Sequence, residues 1–108
     1  MKTYLKFQNP IFREDGLNTT IREDIEEYPL NEPIEMQDVD GNKIGEIEII
    51  WIFTKKFEDL DEIDMEWEHD SSCRSYESLL ENMRNYFPDF REDKMVQVIY
   101  FIEKKIEL

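Results

Sequence analysis

Alternating apolar and polar residues predict short β-strands in the first part of the chain. Residues 3 to 7 (TYLKF) predict one strand. Residues 19 to 22 (TTIR) have the β-branched content of a second strand and follow a turn at Gly16. Between the two strands, Asn9 can cap a helix and Pro10 suits its first position, so a short helix or turn is expected there.

The clearest local pattern is a hairpin in the middle of the chain. Residues 34 to 39 (IEMQDV) alternate, and Asp40-Gly41 supplies the positive φ that a hairpin turn needs. The returning strand, residues 44 to 57, is apolar on both faces in its second half, which is typical of a central strand. Strict alternation along it places four large apolar side chains on one face and predicts a core position for Trp51: Ile47, Ile49, Trp51 and Phe53.

Residues 58 to 70 (EDLDEIDMEWEHD) hold eight acidic residues and no basic one. From Glu62 onward the acidic residues fall on every second position, which is the period of a strand. However, Leu60, Ile63 and Trp67 have the spacing of one helix face. Periodicity therefore leaves helix and strand open for this segment.

The last third of the chain predicts a helix followed by a strand. Residues 75 to 87 carry an apolar stripe, with Ser75 as a possible cap and Pro88 as a stop. Residues 95 to 102 are apolar on both faces of a final strand. This mixed order predicts a single α+β domain over residues 1–108. About five strands are enough for a small, partly closed β-barrel with two or three short helices.

The net charge restricts the possible partners. The chain has 27 acidic and 13 basic residues and a formal net charge of −14. Such a surface repels phosphate backbones and anionic membranes at long range. No basic patch of the kind that carries general nucleic-acid binding is visible, and no membrane partner is expected. Any contact with nucleic acid is therefore expected to be local and pocket-like.

Residue usage indicates the compartment and the source. The single Cys73 allows no internal disulfide and fits a reducing, cytoplasmic location. No segment has the apolar length of a signal peptide or a membrane span. The chain has no alanine and 13 isoleucines, which is typical of an AT-rich genome such as that of a bacterium or phage.

The order of these segments, from Gly16 to Phe101, resembles the ASCH family of small PUA-like β-barrels. The matching series is the glycine turn into TTIR, the hairpin DGNKIGEIEI, the acidic FEDLDEIDMEWEHD, the helix CRSYESLLENMRNYFPDF with its Phe-Pro stop, and the strand MVQVIYF. The resemblance favours a helix for residues 60 to 69. It also implies a pocket near Thr20 and Arg22 that recognises RNA, a nucleotide or a modified nucleoside.

In size the chain is similar to one branch of that family, the bacterial N4-acetylcytidine amidohydrolases, which use a threonine, a lysine and a glutamate. The threonine corresponds to Thr20, but the lysine falls on Leu17 or Asn18, and neither can act as a base. The glutamate falls near Asp70 or Ser71, so Thr20 and Asp70 are the catalytic candidates if the chain is an enzyme. The resemblance therefore implies a pocket without hydrolase activity, unless a lysine from elsewhere supplies the base: Lys43, Lys55 or Lys56.

The pocket residues each have a second interpretation. Arg22 either presents its planar guanidinium to a ligand or forms an ion pair on an edge strand with an acid such as Glu23. Trp67 either stacks on a base or packs in the core. For a ligand such as RNA or a nucleoside-like small molecule, the predicted binding residues are Thr20, Arg22, Asn18 and Trp67, and no cofactor is predicted.

The acidic segment has a rival interpretation as well. It is either a solvated face or a mimic of phosphates that occupies the groove of a basic protein partner. On a helix, Glu66, His69 and Cys73 would share one face and could hold zinc. One histidine and one cysteine do not complete a usual ligand set, so no metal is predicted.

Overall fold

The computed structural model describes residues 1–8, 12–13 and 16–104. Most of the short helix or turn expected around Asn9 and Pro10 lies outside these residues. The described residues form five strands and two α-helices, with short 3-10 turns at Phe57–Asp59 and Ser71–Cys73. In chain order the elements are β1 (Tyr4–Lys6), β2 (Leu17–Glu23), β3 (Pro33–Gln37), β4 (Lys43–Lys56), α1 (Glu62–Met65), α2 (Tyr76–Tyr86) and β5 (Met95–Lys104).

The strands form one mixed sheet in the order β1-β3-β4-β5-β2. Only β1 and β3 run parallel, and the other three pairings are antiparallel. The α+β class is therefore confirmed. The sheet is open: over the described residues its two edge strands, β1 and β2, are not paired with each other. The partly closed barrel expected from the sequence is accordingly not confirmed.

The predicted hairpin is present as β3 and β4. Gly41 lies in its turn with φ of +88°, the left-handed conformation that favours glycine. Asp38 organises the turn, because its carboxylate accepts hydrogen bonds from the backbone N–H groups of Asp40 and Asn42. Local sequence chemistry therefore sets this turn.

The core position predicted for Trp51 is wrong. A β-bulge shifts the register between β4 and β5, so that Ile49 pairs with Phe101 while Trp51 pairs with Tyr100. Adjacent residues of β5 point to opposite faces, so Trp51 lies on the opposite face from Ile49. Its side chain is 58% exposed and stacks on Tyr100. The extra residue at the bulge therefore places Trp51 and the β4 residues after it on the face opposite to the one that strict alternation predicts.

Two apolar clusters cover the two faces of the sheet. One packs α2 and the 3-10 turns against β5, around Phe57 and Val98. The other fills the opposite face with side chains from β1, β3, β4 and β5, including Phe7, Ile49 and Phe101. Strand β5 is buried on both faces, which explains why its sequence is almost continuously apolar from Met95 to Ile102.

The acidic segment is neither one helix nor one strand. The helix expected for residues 60 to 69 forms only at Glu62–Met65, where Asp61 and Asp64 make a reciprocal capping box. A turn at residues 66–67 follows, and Glu68 then forms an isolated parallel β-bridge with Thr19 of β2. The predicted helix is therefore one turn long, and the alternative strand is reduced to one bridge residue.

Helix α2 follows its sequence signals. The Ser75 hydroxyl accepts a hydrogen bond from the Ser78 N–H at the start, and the helix ends at Tyr86, two residues before Pro88. None of the helices in the described part of the chain combines the length and apolar character that a membrane span requires.

Candidate functional site

A cavity of about 630 Å³ lies between β2, the segment after α1, and α2. Strand β2 contributes Thr20 and Arg22, the segment after α1 contributes Glu68 and Asp70, and α2 contributes Tyr86. This volume falls within the range of small-molecule pockets. The fold therefore gathers charged, hydroxyl and aromatic side chains around one ligand-sized space.

The guanidinium of Arg22 is held in place from several directions. Its Nη2 donates to the backbone carbonyl of Lys6 at 2.7 Å, and its Nε donates to Thr20 Oγ1 at 3.3 Å. Its Cζ lies 4.9 Å from the ring centroid of Phe7, which is cation–π distance. No carboxylate among the described residues lies within ion-pair distance of Arg22, so the predicted alternative of a pair with Glu23 is wrong.

Burial around this cation lowers the pKa of Arg22 from its ordinary value. A guanidinium nevertheless stays charged at neutral pH. It has five N–H donors, and two of them are used by the contacts with Lys6 and Thr20. Arg22 is therefore a fixed cation with donors left to offer a ligand.

Glu68 supplies a buried carboxyl to the cavity, with only 3% of the residue exposed. The backbone N–H of Asp70 lies 3.5 Å from its Oε1, and the N–H of Ile21 also donates to the carboxylate. Burial outweighs these donors and the charge of Arg22, and it raises the pKa of Glu68 to about 8. At pH 7 the side chain is mostly neutral and presents an O–H donor beside a carbonyl acceptor.

Two backbone hydrogen bonds fix the place of Glu68. The N–H of Thr19 donates to the Trp67 carbonyl at 2.7 Å, and the N–H of His69 donates to the Thr19 carbonyl at 2.9 Å. The side chain is further restrained, because His69 Nε2 lies 3.2 Å from Glu68 Oε1. The segment after α1 is thus attached to β2 through one parallel bridge at Glu68.

The wall next to this pair is aromatic. The imidazole of His69 meets the ring of Phe7 edge-on, with centroids 5.1 Å apart. Phe7 in turn packs against Phe12 and Phe101. The charged and titratable groups of the site therefore lie against a packed cluster of aromatic side chains.

The remaining lining residues include aromatic rings and basic side chains. Tyr86 and Phe87, at the end of α2, are 48% and 45% exposed. Lys2 and Lys6 also line the cavity, and Lys2 Nζ lies 3.8 Å from Glu26 Oε1. With Arg22, these two lysines bring three basic side chains to the cavity, where the described lining also includes Glu23, Glu26, Glu68 and Asp70.

The structure separates the predicted binding residues into two groups. Thr20 and Arg22 line the cavity, and so does Asp70, the predicted catalytic carboxylate. Asn18 and Trp67 do not line it. Asn18 is fully buried, and its Oδ1 accepts a hydrogen bond from the backbone N–H of Arg13. The guanidinium of the same Arg13 lies over the ring of Trp67, 5.3 Å from the centroid.

No lysine is placed as a base against Thr20. Within the described parts of the chain, the hydroxyl of Thr20 meets Arg22, and no ammonium is hydrogen-bonded to it. Of the lysines suggested by sequence, Lys55 contacts Asp64 at 2.6 Å and Lys43 contacts Glu46 at 3.2 Å. Two other lysines, Lys2 and Lys6, line the same cavity.

The possible zinc ligands lie in different environments. Glu66 is exposed, whereas His69 is buried beside Glu68. The sulfur of Cys73 accepts a hydrogen bond from Asn82 Nδ2 at 3.3 Å, and burial raises the pKa of its thiol to about 11. Among the residues that the structure describes, no group of three or more His, Cys, Asp and Glu side chains is arranged to hold a metal ion.

Sequence reasoning missed Glu68. Its neighbours Glu66 and Asp70 are also acidic and follow the same alternating spacing, so nothing local distinguishes the buried Glu68 from the exposed Glu66 or the half-buried Asp70. The one available signal was the alternation itself, which indicates an extended segment. Pairing with β2 then decides that Glu68 is enclosed.

Neither a protein-family model nor a curated protein matches the sequence. The fold is similar to a crystal structure of an ASCH domain from Lactobacillus crispatus JV V101, with a TM-score of 0.64 and 17% sequence identity. The match covers 80% of this chain, and this chain spans about 63% of the length of that ASCH chain. The chain therefore has an ASCH-like fold, and the resemblance seen in the order of its segments is confirmed.

Proposed function

We propose that the cavity recognises a nucleoside, either free and modified or as an unpaired base of RNA. The observation that carries this proposal is the presence of the Arg22 guanidinium and the buried Glu68 carboxyl in one ligand-sized cavity. The ASCH-like fold adds support, because this fold is generally associated with RNA binding.

Arg22 and Glu68 can bind different parts of a nucleoside or nucleotide. A protonated carboxyl offers one donor and one acceptor side by side, which matches the donor–acceptor edge of a nucleobase. The guanidinium of Arg22 can bind a phosphate oxygen or a base carbonyl in its fixed orientation. The rings of Tyr86 and Phe87 are exposed enough to stack on a base.

Electrostatics favours a small ligand or a single base over a long nucleic acid. The net charge of −14 repels an extended phosphate backbone, while Lys2, Lys6 and Arg22 offer positive charge locally at the cavity. Binding is therefore expected to depend weakly on salt, since few phosphates would be neutralised.

Replacing Arg22 with alanine is expected to weaken binding at least about tenfold, the usual cost of losing a charge-assisted hydrogen bond. The measurement is calorimetric titration against nucleosides, nucleotides and short single-stranded RNA. Arg22→Lys should recover only part of the affinity, because an ammonium lacks the planar fork. Arg91→Ala is the control, since Arg91 is exposed and pairs only with Asp93 among the described residues. Equal binding by wild type and Arg22→Ala, or no binding by wild type, would refute the proposal.

One observation favours amide hydrolysis as a second candidate: Lys6, Thr20 and Glu68 line the same cavity. In that function Lys6 would take a proton from the Thr20 hydroxyl, which would attack the acyl carbonyl of an acetylated nucleoside. Glu68 would deliver a proton to the leaving nitrogen as its bond to the acyl carbon breaks. Water would then hydrolyse the acyl-threonine ester, which releases acetate and restores the Thr20 hydroxyl.

Acetate release from acetylcytidine measures this second function directly. Thr20→Val and Lys6→Met should each abolish turnover, while Lys56→Met should leave it unchanged. An absence of acetate at high enzyme concentration would leave nucleoside recognition as the function of the cavity.

A further inference from the structure

A second surface lies away from the cavity, on the half of β4 that follows its bulge. Strand β3 pairs with β4 only up to Glu48, whereas β5 pairs with β4 as far as Lys56. Over the described ranges, the other side of β4 from Ile50 to Lys56 has no strand partner. We call this stretch the β4 edge. An open strand edge offers N–H and C=O groups to an added strand.

Exposed aromatic rings stand next to the β4 edge. Trp51 is 58% exposed and stacks on Tyr100, with centroids 5.5 Å apart and an interplanar angle of 23°. Phe53 continues the row, with its centroid 5.4 Å from that of Trp51. A row of this kind gives an arriving cation or apolar side chain a flat face to lie on.

The acidic side chains near these aromatic rings favour a positively charged partner. Lys55 Nζ lies 5.4 Å from the Phe53 centroid and 2.6 Å from Asp64 Oδ2. Asp59 and Asp61 also act on the same ammonium. The Lys55 ammonium therefore already lies over an aromatic ring of the chain itself. Three carboxylates, those of Asp59, Asp61 and Asp64, act on this one positive charge.

We propose that the β4 edge and the Trp51–Tyr100 stack dock an extended, basic segment of a partner protein. The segment adds as a strand along β4, and one of its Arg or Lys side chains lies over Trp51 and faces Asp61. Phosphate-bearing partners are disfavoured here, because the carboxylates of Asp59 and Asp61 would repel them. Pairing between two copies of this chain is disfavoured, because each copy carries a net charge of −14.

The probe is a synthetic ten-residue peptide of alternating Arg and Val, titrated by NMR into labelled full chain. The amides from Ile50 to Lys56 and the Trp51 indole should shift, with saturable binding. A peptide of equal charge in which proline replaces valine should bind at least about tenfold more weakly, since it lacks the N–H groups of a strand. Equal affinity for the two peptides would show attraction by net charge alone and would overturn the proposal.

Variants separate this surface from the cavity. Trp51→Ala should weaken the Arg-Val peptide about tenfold. Asp61→Asn keeps a capping oxygen and should weaken it about threefold while leaving the fold intact. Trp67→Ala and Arg22→Ala should have no effect. NMR shifts that are confined to the cavity would overturn the proposal. Binding of a ten-residue RNA to this surface, without binding of the peptide, would overturn it as well. Neither result would contradict nucleoside recognition by the cavity.

Discussion

Replacing Glu68 with glutamine is expected to stabilise the folded chain, and the gain should grow as the pH rises from 5 to 9. The cause is burial, which raises the pKa of this carboxyl from 4.5 to about 8. Between these values the unfolded chain releases the proton while the folded chain retains it. The folded state binds more protons, so its stability falls as the pH rises through this window.

The size of this effect follows from the displacement of the pKa. A change from 4.5 to about 8 corresponds to at most about 5 kcal/mol of lost stability at high pH. Replacing the carboxyl also weakens its contacts with Arg22, His69 and Asp70, which offsets part of the gain in stability. We therefore expect a gain of roughly 2 to 5 kcal/mol for Glu68→Gln at pH 9 and almost no gain near pH 4. Glutamine keeps the shape and can still accept from the Ile21 N–H.

Urea unfolding of wild type and Glu68→Gln at pH 5, 7 and 9 measures the difference. Glu66→Gln is the matched control, because Glu66 is two residues away and exposed. A Glu68→Gln gain that stays constant from pH 5 to 9, or that Glu66→Gln reproduces, would contradict a buried neutral carboxyl.

Truncating Phe7 to alanine is expected to cost about 3 to 5 kcal/mol of unfolding free energy. The side chain is 1% exposed and contacts Phe12, His69 and Phe101. It also lies beneath the guanidinium of Arg22. The variant should therefore bind nucleosides more weakly even at temperatures where it remains folded.

Calorimetric melting and ligand titration measure both consequences of Phe7→Ala. Phe87→Ala serves as the stability control, since its ring is 45% exposed and its loss should cost about 1 kcal/mol or less. If the two variants melt at the same temperature, Phe7 is not the buried support of the site. If Phe7→Ala melts early but binds normally, Arg22 does not depend on the ring.

The amino-acid sequence by itself determined the elements whose signals are local. The hairpin follows from Asp40-Gly41, because that turn needs a positive φ that glycine adopts without strain. Helix α2 follows from the Ser75 cap and the Pro88 stop. The resemblance of the segment order to ASCH domains also implied that Thr20 and Arg22 lie at one pocket, and both line the cavity.

Tertiary structure decided the rest. The bulge in β4 arises from its pairing with β5, and only that pairing brings Trp51 to the surface. The Phe7 ring and the Lys6 carbonyl reach Arg22 because β1 and β2 approach across the open end of the sheet. Glu68 carries the same charge in the sequence as its exposed neighbours, and the bridge to Thr19 alone encloses it. Burial depends on contacts between distant parts of the chain, so neither the face of Trp51 nor the pKa of Glu68 is contained in any short stretch of residues.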